Sequence, residues 1–366
     1  MKGGLIIMVS KKERAKGALM GAFIGEALGV GPHWYYDLEE MRQEYGDWID
    51  DYTEPKTDRY HGGLKAGEIS QAGILLKMMT EHLIENDGYD QTAFCKMMDD
   101  DFLPKISGKA MAGPGGYTSQ SIRHLWRARV KNELPWDQVA GNADTTEAIE
   151  RNIAQAIFYA DDLEALSLNI TENTALTQSD NLIGSLTVAY SSVLALLVRG
   201  EKLDPQISAK LMQAVDDGKL PFHKVTSANL NPPAGDNMVK ESDLYGEGIF
   251  ASPDGLLSPS YMARAAVDED IKIEPAWKAA VVYGMPCAIY HMLPAVYYLA
   301  ARFKDDFEAG VLHALNGGGQ NQVRTMLTGA LIGAQVGFPR IPERFIEGLQ
   351  QKDELLSLTD KLVEKI

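Results

Sequence analysis

The chain has 366 residues, of which 45% are hydrophobic and 23% are charged, a composition typical of a globular protein with one large or two ordinary domains. Its formal net charge of −16 argues against nucleic acid or an anionic membrane surface as a partner. Two cysteines, Cys95 and Cys287, show no pairing pattern, which indicates a reducing compartment and predicts a cytoplasmic protein.

Neither a leader nor a membrane span is expected. The apolar run at residues 5–9 is followed by charged residues and is too short for the core of a signal peptide. No apolar run approaches the roughly 20 residues that a spanning helix needs.

Helical periodicity dominates the chain and predicts a single all-α domain over residues 11–366. Strand-like alternation over several consecutive segments is absent from the sequence. Two of the predicted helices, 181–199 and 289–303, are largely apolar, as expected of helices buried on all sides. The predicted helices span residues 12–29, 71–86, 145–160, 181–199, 289–303, 305–315, 323–336 and 342–365, the last of them beginning at Pro342.

Glycines recur every four residues near both ends of the chain. Each glycine inside a helix costs roughly 1 kcal/mol relative to alanine, so a repeated set indicates the close approach of another helix. The two ladders therefore predict two central helices in close contact. Their members are Gly17, Gly21, Gly25 and Gly29, and Gly329, Gly333 and Gly337.

Residues 226–275 interrupt the helical pattern with Pro, Gly, Asn, Asp and Ser and have no sustained period. Apolar helices on both sides predict an irregular insertion packed on the same core. Long irregular insertions are often lids or binding loops, although a passive surface excursion is the alternative.

The segment NGGGQNQVR, residues 316–324, carries three glycines to the start of a helix. Free backbone N–H groups and the positive end of the helix dipole at such a position favour phosphate or another anion. The alternative is a loop that only turns the chain.

Four segments in order resemble the ADP-ribosylglycohydrolase family, from about residue 12 to the end of the chain. They are RAKGALMGAFIGEALGVGPHW, AGEISQAGILLKMM, AGNADTTEAI and NGGGQNQVRTMLTGALIGAQVGFPRIPERFIEGL. The resemblance implies an all-α bundle that holds two magnesium ions beside the substrate ribose. It also implies substrates in which ADP-ribose is joined to a protein side chain or a related molecule and is cleaved by water at the ribose C1.

The chain departs from the family pattern where the metal ligands are expected. Glu26 stands where the family's opening helix has an Asp. The family's Thr-Asp-Asp-Thr-Gln corresponds to residues 67–71, Gly-Glu-Ile-Ser-Gln, and its Asp-x-Asp-Thr corresponds to residues 320–323, Gln-Asn-Gln-Val.

Magnesium requires hard, usually anionic oxygen ligands in octahedral geometry. Of the expected carboxylates only Glu68 remains, and Arg324 adds a positive charge nearby. Neutral amides cannot offset two divalent ions, so we expect no dinuclear magnesium site and no metal cofactor.

Two functions remain open: a metal-independent hydrolase of a ribosyl or related bond, and a non-catalytic relative that binds ADP-ribose or a nucleotide. Hydrolysis at an anomeric carbon needs a carboxylate to orient water and a group to protonate the leaving atom, for which the candidates are Glu68 and Glu26. Asp144 is equally well explained as a helix cap that forms a capping box with Glu147. The candidate ligand-binding residues are His33, His61, Gln71, Tyr117, Asn142, Asp144, Asn316, Gly318, Gly319, Gln320, Asn321, Gln322 and Arg324.

Overall fold

The computed structural model describes residues 9–111, 113–223 and 248–366. Within these ranges the regular structure is helical, and extended pairing is confined to isolated bridges such as Tyr35 with Gly319. The all-α prediction is therefore confirmed. The α-helices are α1 (Lys11–Gly29), α2 (Leu38–Tyr45), α3 (Gln71–Asn86), α4 (Gln91–Met97), α5 (Gln120–Trp126), α6 (Glu147–Phe158), α7 (Leu163–Ala175), α8 (Asn181–Val198), α9 (Ile207–Asp216), α10 (Asp254–Val267), α11 (Ala279–Tyr283), α12 (Ile289–Arg302), α13 (Phe307–Leu315), α14 (Asn321–Val336), α15 (Glu343–Glu347) and α16 (Lys352–Glu364).

Short irregular helical turns complete the described backbone. Two π-helical turns, Met98–Phe102 and Arg127–Lys131, extend α4 and α5. The 3-10 turns are Leu103–Lys105, Trp136–Gln138, Ala276–Lys278 and Phe338–Arg340.

Helices α1 and α14 form the centre of the fold and run antiparallel. A Cβ atom added at Gly17 would lie less than 3 Å from the backbone oxygen of Gly333, and one added at Gly25 would lie as close to that of Thr325. The predicted close contact is confirmed. Gly337 differs from the prediction because it ends α14 with φ of 78° and does not continue the ladder.

The remaining helices surround this pair. Helix α3 packs on α6, α6 packs on α7 and α8, and α12 packs on α14. Among the described residues, α8 alone is long and apolar enough to cross a membrane, and 83% of it is buried inside the structure. Burial to that extent is the behaviour of a core helix.

Helix ends differ from the sequence predictions where a potential capping side chain hydrogen-bonds to a residue distant in sequence instead. Helix α6 begins at Glu147 after Thr146, and its start has no side-chain cap. Asp144 accepts a hydrogen bond of 2.7 Å from the Tyr290 hydroxyl instead, so the predicted capping box is wrong. The predicted helix 342–365 is two helices, α15 and α16, although Pro342 does precede the first of them.

The segment predicted as an irregular insertion contains a helix. Residues 254–267 form α10, which buries Leu256, Pro259, Ala263 and Ala266 and packs on α9 and α12. The prediction of irregular structure is wrong for these residues, because their Leu, Met, Arg and Ala residues favour a helix whose apolar face packs on the core. Residues 224–247 lie outside the described residues, so the predicted lid is not tested there.

Adding a methyl group between α1 and α14 should separate them. We expect Gly25→Ala to lower the free energy of unfolding by about 3 kcal/mol, because its Cβ overlaps the backbone of Thr325. Urea unfolding followed by circular dichroism measures the change. Gly184→Ala in α8 is the control, since its Cβ lies 3.2 Å from the Phe250 ring only and alanine favours helix by about 1 kcal/mol. Equal destabilisation by both substitutions would contradict the close contact.

Candidate active site

A cavity of about 100 Å³ lies where the C-terminal end of α1 meets the N-terminal ends of α3, α5, α6 and α14. The loops that follow α1 and precede α3 and α5 complete its wall. Its polar and aromatic lining residues are His33, Trp34, His61, Ser70, Gln71, Tyr117, Ser119, Gln120, Arg123, Thr145, Glu147, Glu150, Gln320 and Gln322, together with Cys287.

Glu26 forms a buried hydrogen-bonded cluster beneath this cavity. Its Oε1 accepts hydrogen bonds from the Ser70 backbone N at 3.0 Å and from Gln322 Nε2 at 2.8 Å, and the Ser70 hydroxyl donates to the same oxygen. Burial raises the pKa of Glu26 to about 7, and hydrogen bonds from Ser70 and Gln322 only partly oppose this effect. Glu26 itself does not line the cavity, so it can act on a ligand only through Ser70 and Gln322.

Glu147 and Glu150 bring two carboxyl groups to the cavity wall from the first turn of α6. The Thr146 hydroxyl donates to Glu150 at 2.8 Å, and the Thr145 hydroxyl donates to Glu147. Burial, followed by the charge of Glu147, raises the pKa of Glu150 above its usual range. The raised pKa of Glu150 favours its protonated form near neutral pH.

This pair was not among the predicted site residues. Glu147 was predicted only as a possible member of a capping box, and Glu150 was not predicted at all. The signal was present in the i, i+3 spacing of two acids directly after the third family-like segment, because that spacing places both side chains on one helix face.

His33 and His61 form a hydrogen-bonded chain that ends at the cavity. His61 Nδ1 lies 2.9 Å from the Gly115 carbonyl oxygen, His61 Nε2 lies 2.7 Å from His33 Nδ1, and His33 Nε2 lies 2.5 Å from the side-chain amide of Gln320. Burial lowers the pKa of His61 to about 4 and holds the pKa of His33 well below its ordinary value. Both rings are therefore neutral near pH 7.

The number of protons fixes the direction of this chain. The carbonyl of Gly115 requires a proton on His61 Nδ1, so a neutral His61 accepts at Nε2 from His33 Nδ1. With both rings neutral, His33 Nε2 is bare and would accept from Nε2 of Gln320, which is the reverse of the amide orientation in the structure, where Oε1 faces His33. In the orientation with Oε1 toward His33, His33 Nε2 must donate as well. The two rings then need three N–H groups, so one of them is an imidazolium.

Comparison with known proteins agrees with this arrangement of helices and loops. The sequence profile of the family described as ADP-ribosylglycohydrolase matches residues 8–366. The chain belongs to the ADP-ribosylglycohydrolase family. An uncharacterized protein of Archaeoglobus fulgidus is 25% identical over 357 residues, covering 96% of this chain and 97% of that protein.

Two further proteins of lower sequence identity match nearly the whole length of this chain. Crystallin J1A of Tripedalia cystophora is 21% identical and covers 96% of both chains. A solved structure of an ADP-ribosylglycohydrolase-related protein complex superposes with a TM-score of 0.60 at 16% identity, over 97% of this chain and 99% of that one. These matches confirm the family resemblance and the all-α fold.

The donor set of this family member does not fit two magnesium ions. At the positions where the resemblance implies metal-binding acids, Glu68 turns away to Lys65 and Ile69 offers no ligand. Gln320 and Gln322 present neutral amides to the cavity. Among the residues that the structure describes, no group of three or more His, Cys, Asp or Glu side chains is arranged to hold a metal ion.

Six of the predicted ligand-binding residues line the cavity, namely His33, His61, Gln71, Tyr117, Gln320 and Gln322. Glu68, predicted to face the cavity, does not line it. Its side chain accepts a hydrogen bond of 2.7 Å from the backbone N of Lys65 and closes a local turn. Asn142 and Asp144 are exposed and also lie outside the cavity lining.

Two backbone N–H groups of the glycine loop are bonded to protein carbonyls and are not available to bind an anion. The backbone N of Gly319 donates to the Tyr35 carbonyl at 2.6 Å, and that of Gln320 donates to the Met285 carbonyl at 2.9 Å. Gly318 and Gly319 have φ of 65° and 61°, which allows this tight path. The predicted anion site is therefore wrong for the Gly319 and Gln320 amides.

The other polar residues of this segment support the loop and do not line the cavity. Arg324 is fully buried and donates to the carbonyls of Ala314, at 3.1 Å, and Gly318. Burial lowers its pKa to about 9. Asn316 and Asn321 likewise donate to backbone carbonyls from Nδ2.

The raised pKa of Glu26 predicts how stability depends on pH. Its folded value of about 7 exceeds the value of about 4.5 expected when unfolded, so the stabilisation is complete below pH 4.5 and is lost as pH rises through 7. We expect Glu26→Gln to reduce the fall in unfolding free energy between about pH 5 and pH 8 by about 2 kcal/mol. Urea unfolding at both pH values measures it, with Glu68→Gln as control. An unchanged fall in the Glu26 variant would contradict the assignment.

The histidine chain predicts an unusual pair of tautomers. At neutral pH we expect His33 and His61 both to be neutral and protonated on Nδ1, as the Gly115 carbonyl requires. Two-dimensional ¹⁵N–¹H spectra of the imidazole rings distinguish the tautomers. The acceptor at Gly115 is a backbone carbonyl, which a substitution cannot remove. The variant His33→Gln is therefore used to assign the signals of the two rings. An imidazolium ring, or Nε2–H on His61 alone, would contradict this proton order.

Proposed function

We propose that this protein is a hydrolase that cleaves a ribosyl or related glycosidic bond with the Glu147–Glu150 pair and without divalent metal. The observation that carries the proposal is that Glu147 and Glu150, two buried carboxyl groups one helical turn apart, line the same cavity wall. Burial raises the pKa of Glu150 and favours its protonated form. Groups whose environments separate their protonation states are suited to paired acid and base roles.

The chemistry follows from the positions of the two acids. Glu150, in its protonated form, donates to the leaving oxygen or nitrogen as its bond to the anomeric carbon breaks. Glu147 accepts a proton from the attacking water, whose oxygen bonds to that carbon. Transfer of the proton from Glu147 back to Glu150 restores the pair, so each cycle consumes one water and releases no net proton.

The size and polarity of the cavity support a sugar as the group that enters it. Its volume of about 100 Å³ is below the roughly 300 Å³ of pockets that enclose drug-sized ligands, so a nucleotide part would extend outside. Gln71 Oε1 is buried without a hydrogen-bond partner, and a sugar hydroxyl would satisfy it. The proposed partner is a small molecule or an ADP-ribosylated group in the cytoplasm.

A second candidate function is binding of ADP-ribose or a nucleotide without catalysis. It is favoured by the neutral amides of Gln320 and Gln322 at positions where the resemblance implies metal-binding carboxylates. Such a protein would retain the cavity and its ligand but have no turnover.

The fall in kcat caused by removing the general acid should depend on the leaving group of the substrate. In the presence of a chelator, we expect Glu150→Gln to lower kcat by about 100-fold on ADP-ribosylated protein, whose leaving group needs a proton. On 4-nitrophenyl ribofuranoside the loss should be much smaller, because nitrophenolate leaves without protonation. Release of ADP-ribose and of nitrophenolate measures the two rates.

The matched control is Glu68→Gln, the same substitution at an acid outside the cavity, which should keep near wild-type rates. A wild-type protein that is inactive until magnesium is added would refute metal independence. A rise in melting temperature with ADP-ribose, without turnover of either substrate, would support the binding function instead.

A further inference from the structure

A second cleft, of about 650 Å³, lies at the other end of the α1–α14 pair. It is formed by the start of α1, the C-terminal ends of α8 and α14, and the turn after α12. Six basic and two acidic side chains line it, whereas the whole chain has 35 basic and 51 acidic residues. The cleft therefore reverses the sign of charge that prevails over the molecule. Its basic residues are Lys11, Arg14, Arg199, Lys202, Lys304 and Arg340.

Part of this charge is fixed in place by the protein. Arg14 Nη1 donates to the carbonyls of Ala334 and Gln335, both at 2.9 Å, at the C-terminal end of α14. Arg340 Nη2 donates to the Asp305 carbonyl at 2.7 Å. These bonds hold two guanidinium groups at the cleft and leave other N–H groups on each of them unused.

The charges at the cleft are only partly balanced. Lys11 is paired with Asp161 and Glu201 with Lys210, which leaves Asp305 as the one acid of the cleft without an ion pair among the described residues. Arg199, Lys202 and Lys304 are exposed and have no ion pair or hydrogen bond to a side chain or carbonyl within the described residues. Arg14 donates to the carbonyls at the end of α14, and Arg199 is the C-cap residue of α8, but the side-chain charges of Arg199, Lys202 and Lys304 remain unpaired within the described residues.

We propose that this cleft binds a small anion that carries two or more phosphate groups. Guanidinium groups bind phosphate oxygens through paired hydrogen bonds, and lysines add point charges. A volume of about 650 Å³ lies within the range of small-molecule sites. No aromatic side chain is found among the lining residues described for this cleft, so recognition rests on the phosphates and not on stacking of a base.

The cleft is independent of the proposed hydrolase function. Arg14 and Glu26 are twelve residues apart on α1, and at 1.5 Å per residue they are separated by roughly 18 Å. The cleft and the cavity share no lining residue. Phosphate binding at the cleft and catalysis at the cavity can therefore be tested and refuted independently.

Calorimetric titration with inorganic pyrophosphate, in buffer that contains a chelator, tests the site. We expect one binding site, an affinity that weakens as salt is added, and binding at least about tenfold tighter than that of inorganic monophosphate. The triple variant Arg199→Ala, Lys202→Ala, Lys304→Ala should weaken pyrophosphate binding at least about tenfold, with an unchanged melting temperature.

The control removes the same charges elsewhere: Lys109→Ala, Arg127→Ala and Lys131→Ala, all exposed residues outside the cleft. It should bind pyrophosphate within about twofold of the wild type, since long-range charge is screened by salt. Three results would overturn the proposal: no binding by the wild type, equal weakening in both triple variants, or equal affinity for monophosphate and pyrophosphate.

Discussion

The direct backbone contact between α1 and α14 is the constraint on which the rest of the structure depends. Four glycines of α1 face α14 where no Cβ fits, and this costs the isolated helix roughly 1 kcal/mol for each glycine. In return, Gly29 lies against Gln322, so the amide of Gln322 reaches Glu26. The same contact fixes the start of α14 and hence the glycine loop that closes one wall of the cavity.

Electrostatics then determines which groups can occupy the cavity. A buried charge without a partner costs several kcal/mol, and each polar side chain at this site avoids that cost in a different way. The two histidines remain neutral, Glu147 and Glu150 accept hydrogen bonds from the hydroxyls of Thr145 and Thr146, and Glu26 accepts three donated hydrogen bonds. Arg324 lies behind the glycine loop. The result is a set of groups suited to moving protons.

Local patterns predicted the helices well, because periodicity and glycine spacing are properties of neighbouring residues; α3 spans the predicted residues 71–86. The candidate site was predicted less completely, because its geometry depends on single turns. Gly67 has φ of 81° and begins a tight turn. After it, the Glu68 side chain bonds to Lys65, whereas Ser70 faces Glu26. Contacts such as that between His33 and His61, 28 residues apart, have no periodic signal. Glu150 was missed because an acid in a first helical turn is also common at a solvated surface.

The two ends of the α1–α14 pair provide different environments for a ligand. At the cavity, polar groups are buried, so charge is expensive, and a ligand there would meet neutral amides, imidazoles and the carboxyl groups of α6. At the basic cleft, Arg199, Lys202 and Lys304 are exposed, so their charges persist and act through attraction that salt weakens. A neutral, hydroxyl-rich group therefore suits the first site, and a multiply charged anion suits the second. One pair of helices thus has at its two ends proposed sites with opposite electrostatic requirements.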